Sequence, residues 1–316
     1  MTIKSVFTRR ALRGNSLDCR GALARVSRGR RVRGAAGLAL ALGFAGAPAI
    51  AVHAADTAPT AKSNAIPDFS SGRKMWVLAG GPNYVPVPGA KLPGPITGTD
   101  KYRPKITDPV AITDNPLLQP WAKKAMDDAN QKVIAGIIPF NPAARCYPGG
   151  VPGILLFPGE PMQIIQSPKE VLLMWKRDAQ VQRVYLDVPH SKNPAYSWYG
   201  ESVGHYENGD TLVVDTIGLD DKGDKGPLDR FRTPHTKQLH VVERFKLTNG
   251  GKRFEVLVHI EDPGTFTSAW EGLVKFEQGY EYRNDHWEED ICAEAGDGLI
   301  PVPGSVPIPH ATKRDF

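Results

Sequence analysis

Apolar and polar residues alternate most regularly between residues 239 and 260, on both sides of Asn249-Gly250. This alternation predicts two antiparallel strands. Asn-Gly predicts the turn between them, because a type I′ turn needs positive φ at both central residues. A two-residue turn makes the numbers of opposite residues add to 499, so Phe245 faces Phe254 on an apolar face. A slip of one residue would mix the apolar face with the polar one, so the register is well specified.

Glu243 interrupts the apolar face of this predicted hairpin, where the register places it opposite Val256. An ionised carboxylate in such a position costs several kcal/mol unless it is hydrogen-bonded or paired, or its pKa rises. Two interpretations follow. Glu243 faces a pocket and either handles a proton or orients a histidine, or it is a structural residue paired with an Arg or a Tyr across the core.

Further strands are predicted along the rest of the chain, joined by short turns. The segments rich in β-branched and apolar residues are Met162–Gln166, Glu170–Trp175, Gln182–Asp187, Val203–Glu207, Thr211–Asp215, Leu273–Tyr282 and Trp287–Cys292. They do not alternate with helices, which argues against a parallel sheet. The chain is therefore predicted to be mainly β, an antiparallel meander that closes into a small barrel or forms a strongly curved sheet.

One helix is predicted near residues 115–136. Asp114 or Asn115 can cap its first turn, and Gly136 ends it. Its predicted apolar face contains, at four-residue spacing, Trp121, Ala125 and Ala129, and it continues at Leu118 and Val133.

The first 54 residues are predicted to be an export signal peptide. They contain ten Lys or Arg and one acidic residue, then an apolar run and small residues before a cleavage site. An uncleaved membrane anchor is the alternative, but the run is short and contains Gly and Pro. We expect a periplasmic or secreted protein, with the export machinery as a partner and no stable membrane span after cleavage.

Beyond this signal, the sequence predicts three segments: an extended Pro/Gly-rich segment on the domain surface (55–112), a β-rich domain (113–295) and a C-terminal tail (296–316). Signal removal takes ten of the 39 basic residues and one of the 34 acidic ones, leaving 29 and 33, a net charge of −4. Because the mature chain is acidic, we expect no nucleic-acid partner.

Cysteine usage agrees with export. Cys146 and Cys292 remain after cleavage, and a pair in an oxidising compartment usually forms a disulfide bond. A metal pair and two free thiols are the alternatives, although no further cysteine cluster supports a metal.

Six polar residues are candidates for catalysis, since histidine and a partly buried carboxylate suit acid–base chemistry near neutral pH. The candidates are Glu243, His240, His235, His190, Arg244 and Asp187. The alternative is that each of them only anchors the structure. In particular, His240 and Glu243 lie three apart on a strand and point to opposite faces.

A metal site is a weaker hypothesis. The predicted register places His259 opposite His240, and His235 lies in the preceding loop. Such histidines can bind zinc or copper.

Several motifs resemble those of a family of exported, largely uncharacterised bacterial β-rich proteins. They are Cys-x-Pro-Gly-Gly-x-Pro (146–152), Gly-x-Ser-Val-Gly (200–204), Gly-Asp-Thr-Leu-Val-Val-Asp-Thr (209–216) and His-Val-x-Glu-Arg (240–244). The resemblance implies an exported β-rich domain and carries no established activity. The chain departs from the family pattern at His205-Tyr206, where the family tends to have Arg-Trp, and at Ala269, which precedes Trp270 where the family has proline.

Three functions fit these observations. The first is a β-barrel enzyme that acts on a small apolar or aromatic molecule by His/Glu acid–base chemistry, as a cofactor-independent lyase, isomerase or hydrolase. The second is a noncatalytic small-ligand carrier, and the third is a structural envelope protein with a filled core. The sequence has neither a P-loop nor a dinucleotide fingerprint, so we expect no cofactor apart from the metal considered above.

Overall fold

The computed structural model of the protein describes residues 66–281, except for residues 73, 103–107, 138–141, 143–145, 157–158 and 222–225. In chain order the elements are β1 (Lys74–Leu78), β2 (Gly98–Thr99), β3 (Val110–Ala111), α1 (Pro120–Ile134), β4 (Met162–Gln166), β5 (Glu170–Trp175), β6 (Val181–Leu186), β7 (Glu201–Glu207), β8 (Thr211–Ile217), β9 (His240–Thr248), β10 (Arg253–Glu261) and β11 (Trp270–Glu281). The predicted strand Trp287–Cys292 lies outside the described residues.

The fold is mainly β, and a nine-stranded closed barrel confirms the predicted fold class. Its strands neighbour one another in the order β1-β11-β10-β9-β8-β7-β6-β5-β4, and β2 and β3 form a separate pair. The strand β1 closes the barrel, since it pairs with β11 and, through Trp76 opposite Met162, with β4. The Pro/Gly-rich segment expected on the surface thus contributes a barrel strand, and Trp76 is fully buried.

One strand pair departs from the predicted antiparallel meander. β6 and β7 run parallel, with Val184 opposite Ser202, whereas the other neighbours in the barrel are antiparallel. A tight turn cannot join parallel strands, so residues 187–200 form a crossover. This crossover packs beside β7 and β8, because Asp187 N–H donates to Gly204 O and Ser197 N–H donates to Gly218 O.

The β9–β10 hairpin has the predicted faces but not the predicted register. Opposite residues add to 501, so Phe245 faces Val256 and Glu243 faces Val258. The chain turns through four residues, Asn249–Lys252, in which Asn249, Gly250 and Gly251 all have positive φ. A second glycine permits this longer turn, and a shift of two residues leaves every side chain on its own face.

Aromatic rings fill the barrel interior on one side of β10. Phe254 stacks on Phe276 with ring centroids 4.8 Å apart, and Trp76 meets Phe254 edge-on at the same distance. Phe245 packs on Phe254 from β9. Because all four side chains are almost fully buried, this level of the barrel is a packed core.

The helix α1 begins at Pro120, later than predicted, and Gln119 rather than Asp114 or Asn115 precedes it. The predicted apolar face is right at Leu118 and Val133, which are buried, and wrong at Trp121, which is exposed; the buried face instead contains Met126 and Asn130. Asn130 belongs there because its amide exchanges two hydrogen bonds with the backbone of Ala111 on β3. In the described part of the chain, no helix has both the length and the hydrophobicity to cross a membrane.

Candidate functional site

Strands β7, β8 and β9 carry polar residues on both faces of the barrel wall. Because side chains alternate along a strand, consecutive residues such as Glu201 and Ser202 point outwards and inwards in turn. We call the inward group, which also includes a residue of β6, the inner cluster: Gln182, Ser202, Thr216 and Glu243. We call the outward group the outer cluster. It also includes one residue of the crossover and one of β10, and its members are His190, Glu201, Asp215, His240 and Glu261.

The inner cluster is a chain of hydrogen bonds inside the barrel. Gln182 Nε2 donates to Glu243 Oε2 at 3.1 Å and to Ser202 Oγ at 3.2 Å. Ser202 and Thr216 share a hydroxyl hydrogen bond at 2.8 Å. Ser202 therefore lies within a buried strand, as expected for a strand residue and not for a nucleophile on an exposed turn.

Glu243 is 0% exposed, as its place on the apolar face predicts. Burial raises the pKa of its carboxyl to about 7, and the hydrogen bond from Gln182 opposes that rise. Its other oxygen, Oε1, has no hydrogen-bond partner among the described residues. The expected arginine or tyrosine partner is thus replaced by an amide, which leaves the negative charge uncompensated and favours the protonated form.

The outer cluster centres on Asp215, one oxygen of which meets two histidines. Asp215 Oδ1 lies 2.9 Å from His240 Nε2 and 3.1 Å from His190 Nε2. The hydrogen bond from His240, followed by that from His190, lowers the pKa of Asp215 against the effect of burial. The same contact raises the pKa of His240.

His190 is held at both ring nitrogens. Nδ1 lies 3.1 Å from Glu201 Oε1, which also accepts the backbone N–H of Ser191 at 2.7 Å. The hydrogen bonds from Ser191 lower the pKa of Glu201 most. The hydrogen bond from His190 lowers it by a smaller amount. Since carboxylates only accept, both His190 contacts are hydrogen bonds when the imidazole carries two protons. His190 thus connects the crossover to two acids, Glu201 on β7 and Asp215 on β8.

His240 is hydrogen-bonded at one nitrogen, and its other nitrogen faces a second acid at a longer distance. Because Nε2 faces the carboxylate of Asp215, its proton lies there in the neutral tautomer and Nδ1 has a lone pair. Nδ1 is 3.7 Å from Glu261 Oε2, beyond hydrogen-bond distance. The His240 side chain is 35% exposed, so this nitrogen can exchange protons with a solute.

The structure brings together only two of the six predicted catalytic residues, His190 and His240. Arg244 donates to Glu207 Oε2 at 2.7 Å and lies opposite Leu257 on β10. Asp187 is exposed at the start of the crossover, and no contact joins it to either histidine in the described structure.

His235 lies apart from both clusters. It is buried, and its Nδ1 contacts Thr236 O at 3.0 Å. It lines a cavity of about 10 Å³ with Gly150 and Trp198, which is room for about one water molecule.

The three predicted metal ligands also fail to meet. The observed register places Glu261, not His259, opposite His240, and His259 contacts Glu271 at 3.3 Å instead. No three His, Cys, Asp or Glu side chains are arranged to hold a metal ion in the part of the chain described. Cys292 lies outside that part, so its disulfide bond with Cys146 stays a prediction.

Sequence reasoning missed Asp215, Glu201, Glu261 and Gln182. A usable signal existed for Asp215, which lies on a strand whose other residues are β-branched or apolar. No local signal connects it to His190, because the crossover sets that contact.

Comparisons with models of known protein families and with curated proteins give no match to this chain. The resemblance to exported bacterial β-rich proteins therefore stays a prediction.

Proposed function

We propose that this exported β-barrel domain is an acid–base catalyst in which His240, oriented by Asp215, accepts and returns a proton. The observation that carries the proposal is the 2.9 Å contact between His240 Nε2 and Asp215 Oδ1, with Nδ1 left open. A carboxylate on one nitrogen fixes the tautomer and makes the other nitrogen a better base, as in catalytic triads. The raised pKa of His240 agrees with that role.

Glu243 supports catalysis less well, although a pKa of about 7 suits a general acid or base. Its carboxyl is fully buried, and the neighbouring interior is filled by Phe245 and Phe254. A substrate has to come within about 3 Å of a catalytic base, directly or through one water. We therefore place the reaction on the outer face and give Glu243 a structural role.

The surroundings of Asp215 favour a substrate with an apolar or aromatic part. Val203 on β7 and Val242 on β9 lie opposite Asp215 on its two sides, and both are partly buried. Together with the open imidazole nitrogen, this supports proton transfer at a carbon next to a carbonyl group, the chemistry of cofactor-independent isomerases and lyases.

Hydrogen–deuterium exchange tests the proposal without knowledge of the natural substrate. A panel of small aryl ketones and aldehydes is incubated with the protein in D₂O, and deuterium at the α-carbon is measured by mass spectrometry. We expect exchange with the wild type and a loss of roughly 100-fold or more in His240→Gln, the usual contribution of a general base. His205→Gln is the matched control, since His205 is also exposed and bonded to an acid, Glu207. Equal rates in wild type and His240→Gln would overturn the proposal.

A structural envelope protein is the second candidate, favoured by the packed aromatic interior. It predicts no exchange above the protein-free rate for any member of the panel.

A further inference from the structure

We infer that Glu261 selects substrates with a positive charge close to the proton that His240 removes. The inference rests on the proposed role of His240 and deepens it, since it names the substrate class: a small ammonium compound with an apolar or aromatic remainder.

The position of Glu261 is the first argument. It lies opposite His240 on β10, and its Oε2 is 3.7 Å from Nδ1, the nitrogen left open for a substrate. A substrate that gives its proton to Nδ1 must therefore lie next to this carboxylate.

The availability of Glu261 is the second argument. Asp215 and Glu201 already accept hydrogen bonds from histidines, and Glu201 accepts one from the backbone of Ser191 as well. Glu261 is 53% exposed, and its carboxylate lies at the ion-pair distance of 3.7 Å from His240 Nδ1, the nitrogen that a substrate would use. It is the acid of the outer cluster that can receive a ligand.

The charge of the site is the third argument. Two carboxylates, Asp215 and Glu261, flank His240, and a third, Glu201, is bonded to the neighbouring His190. No lysine or arginine of the described structure forms an ion pair with Glu201, Asp215 or Glu261. Such a site attracts a cation and repels an anion.

The chemical step balances with these groups alone. The C–H bond next to the carbonyl breaks, and its proton moves to His240 Nδ1. The electron pair stays on the substrate as an enolate, next to the ammonium group held by Glu261. Return of a proton or deuteron from Nδ1 completes the exchange.

The test uses two aryl ketones of the same shape, one with a trimethylammonium group and the other with a neutral tert-butyl group. We expect the wild type to exchange the cationic ketone up to roughly fivefold faster, the upper size of one exposed charge pair. Glu261→Gln should lose this preference and exchange the two ketones at equal rates. Glu271→Gln is the matched control. It changes the acid that contacts His259, and it should keep the preference for the cationic ketone.

Binding is measured separately, so that failure of the inference differs from failure of the proposed catalysis. Both ketones are titrated against the imidazole NMR signals of His240 in wild type and Glu261→Gln. If the cationic ketone binds more tightly and this difference requires Glu261, the selection is supported even when no exchange occurs. A lack of exchange would then overturn only the catalytic role of His240. Equal affinities of wild type and variant for the cationic ketone, or equal effects on both ketones, would overturn the selection.

Discussion

The inner and outer clusters lie on two sides of the same strands, yet they hold their carboxyl groups in opposite states. Glu243, inside the barrel, receives one amide hydrogen bond and no positive charge, so burial raises its pKa to about 7. Asp215, on the outer face, receives two imidazole hydrogen bonds and its pKa falls. Donors and solvent, and not the type of acid, therefore decide which carboxyl group is ionised near neutral pH.

The largest effect should come from Glu243→Gln. Glu243 has a higher pKa in the folded state, about 7, than its usual value of 4.5, so the folded protein binds more protons between these values. The contribution of Glu243 to stability should therefore fall as pH rises from 4.5 to 7, by about 3 kcal/mol in total, and stay level above. Glutamine keeps the shape without the charge and should remove this fall. Urea unfolding at pH 5 and pH 8 measures it.

Glu255→Gln is the control for this measurement, because Glu255 lies on β10 and pairs with Lys275 on the outer face. It should leave the fall with pH unchanged. An equal fall in Glu243→Gln and wild type would show that Glu243 is ionised in the folded protein and contradict the assignment of the inner cluster.

A smaller effect is expected from Asp215→Asn. The lowered pKa of Asp215 stabilises the fold above its usual value of 3.8, and this contribution is lost as pH falls through the folded pKa. The raised pKa of His240 stabilises the fold below its usual value of 6.5, and this contribution is lost as pH rises through the folded pKa. Asp215 and His240 are both more than a third exposed, so we expect Asp215→Asn to lower the free energy of unfolding by only about 0.5 kcal/mol. This loss applies at pH values between the pKa of Asp215 and the pKa of His240.

NMR titration of the imidazoles sharpens this prediction. In Asp215→Asn the pKa of His240 should fall, since its largest favourable contact loses its charge. The signals of His205, which is bonded to Glu207 and not to Asp215, serve as the internal reference. An unchanged His240 titration would mean that Asp215 does not orient the proposed base.

The smallest effect should come from Arg244→Gln. Its ion pair with Glu207 lies on the outer face and is 42% exposed, so removal should cost about 0.3 kcal/mol and less at high salt. Deuterium exchange should stay at the wild-type rate, because Arg244 does not contact the outer cluster. Arg253→Gln, which breaks the exposed pair with Glu277, provides the stability control. A large loss of exchange in Arg244→Gln would return Arg244 to the catalytic residues.

The sequence by itself determined which face each residue of a strand occupies. Glu243 is buried and His240 faces outwards as predicted, because the two-residue period of a strand is a local property of the backbone. The fold class followed from the same alternation, repeated through short strands with tight turns.

The partners across strands were decided by the tertiary structure. A turn longer by two residues exchanged His259 for Glu261 opposite His240, without moving any side chain to the other face. The parallel pair β6–β7 requires a crossover, and that crossover carries His190 to Asp215, 25 residues further along the chain. Turn length and crossover path depend on packing against distant strands, so alternation along one strand carries no information about them.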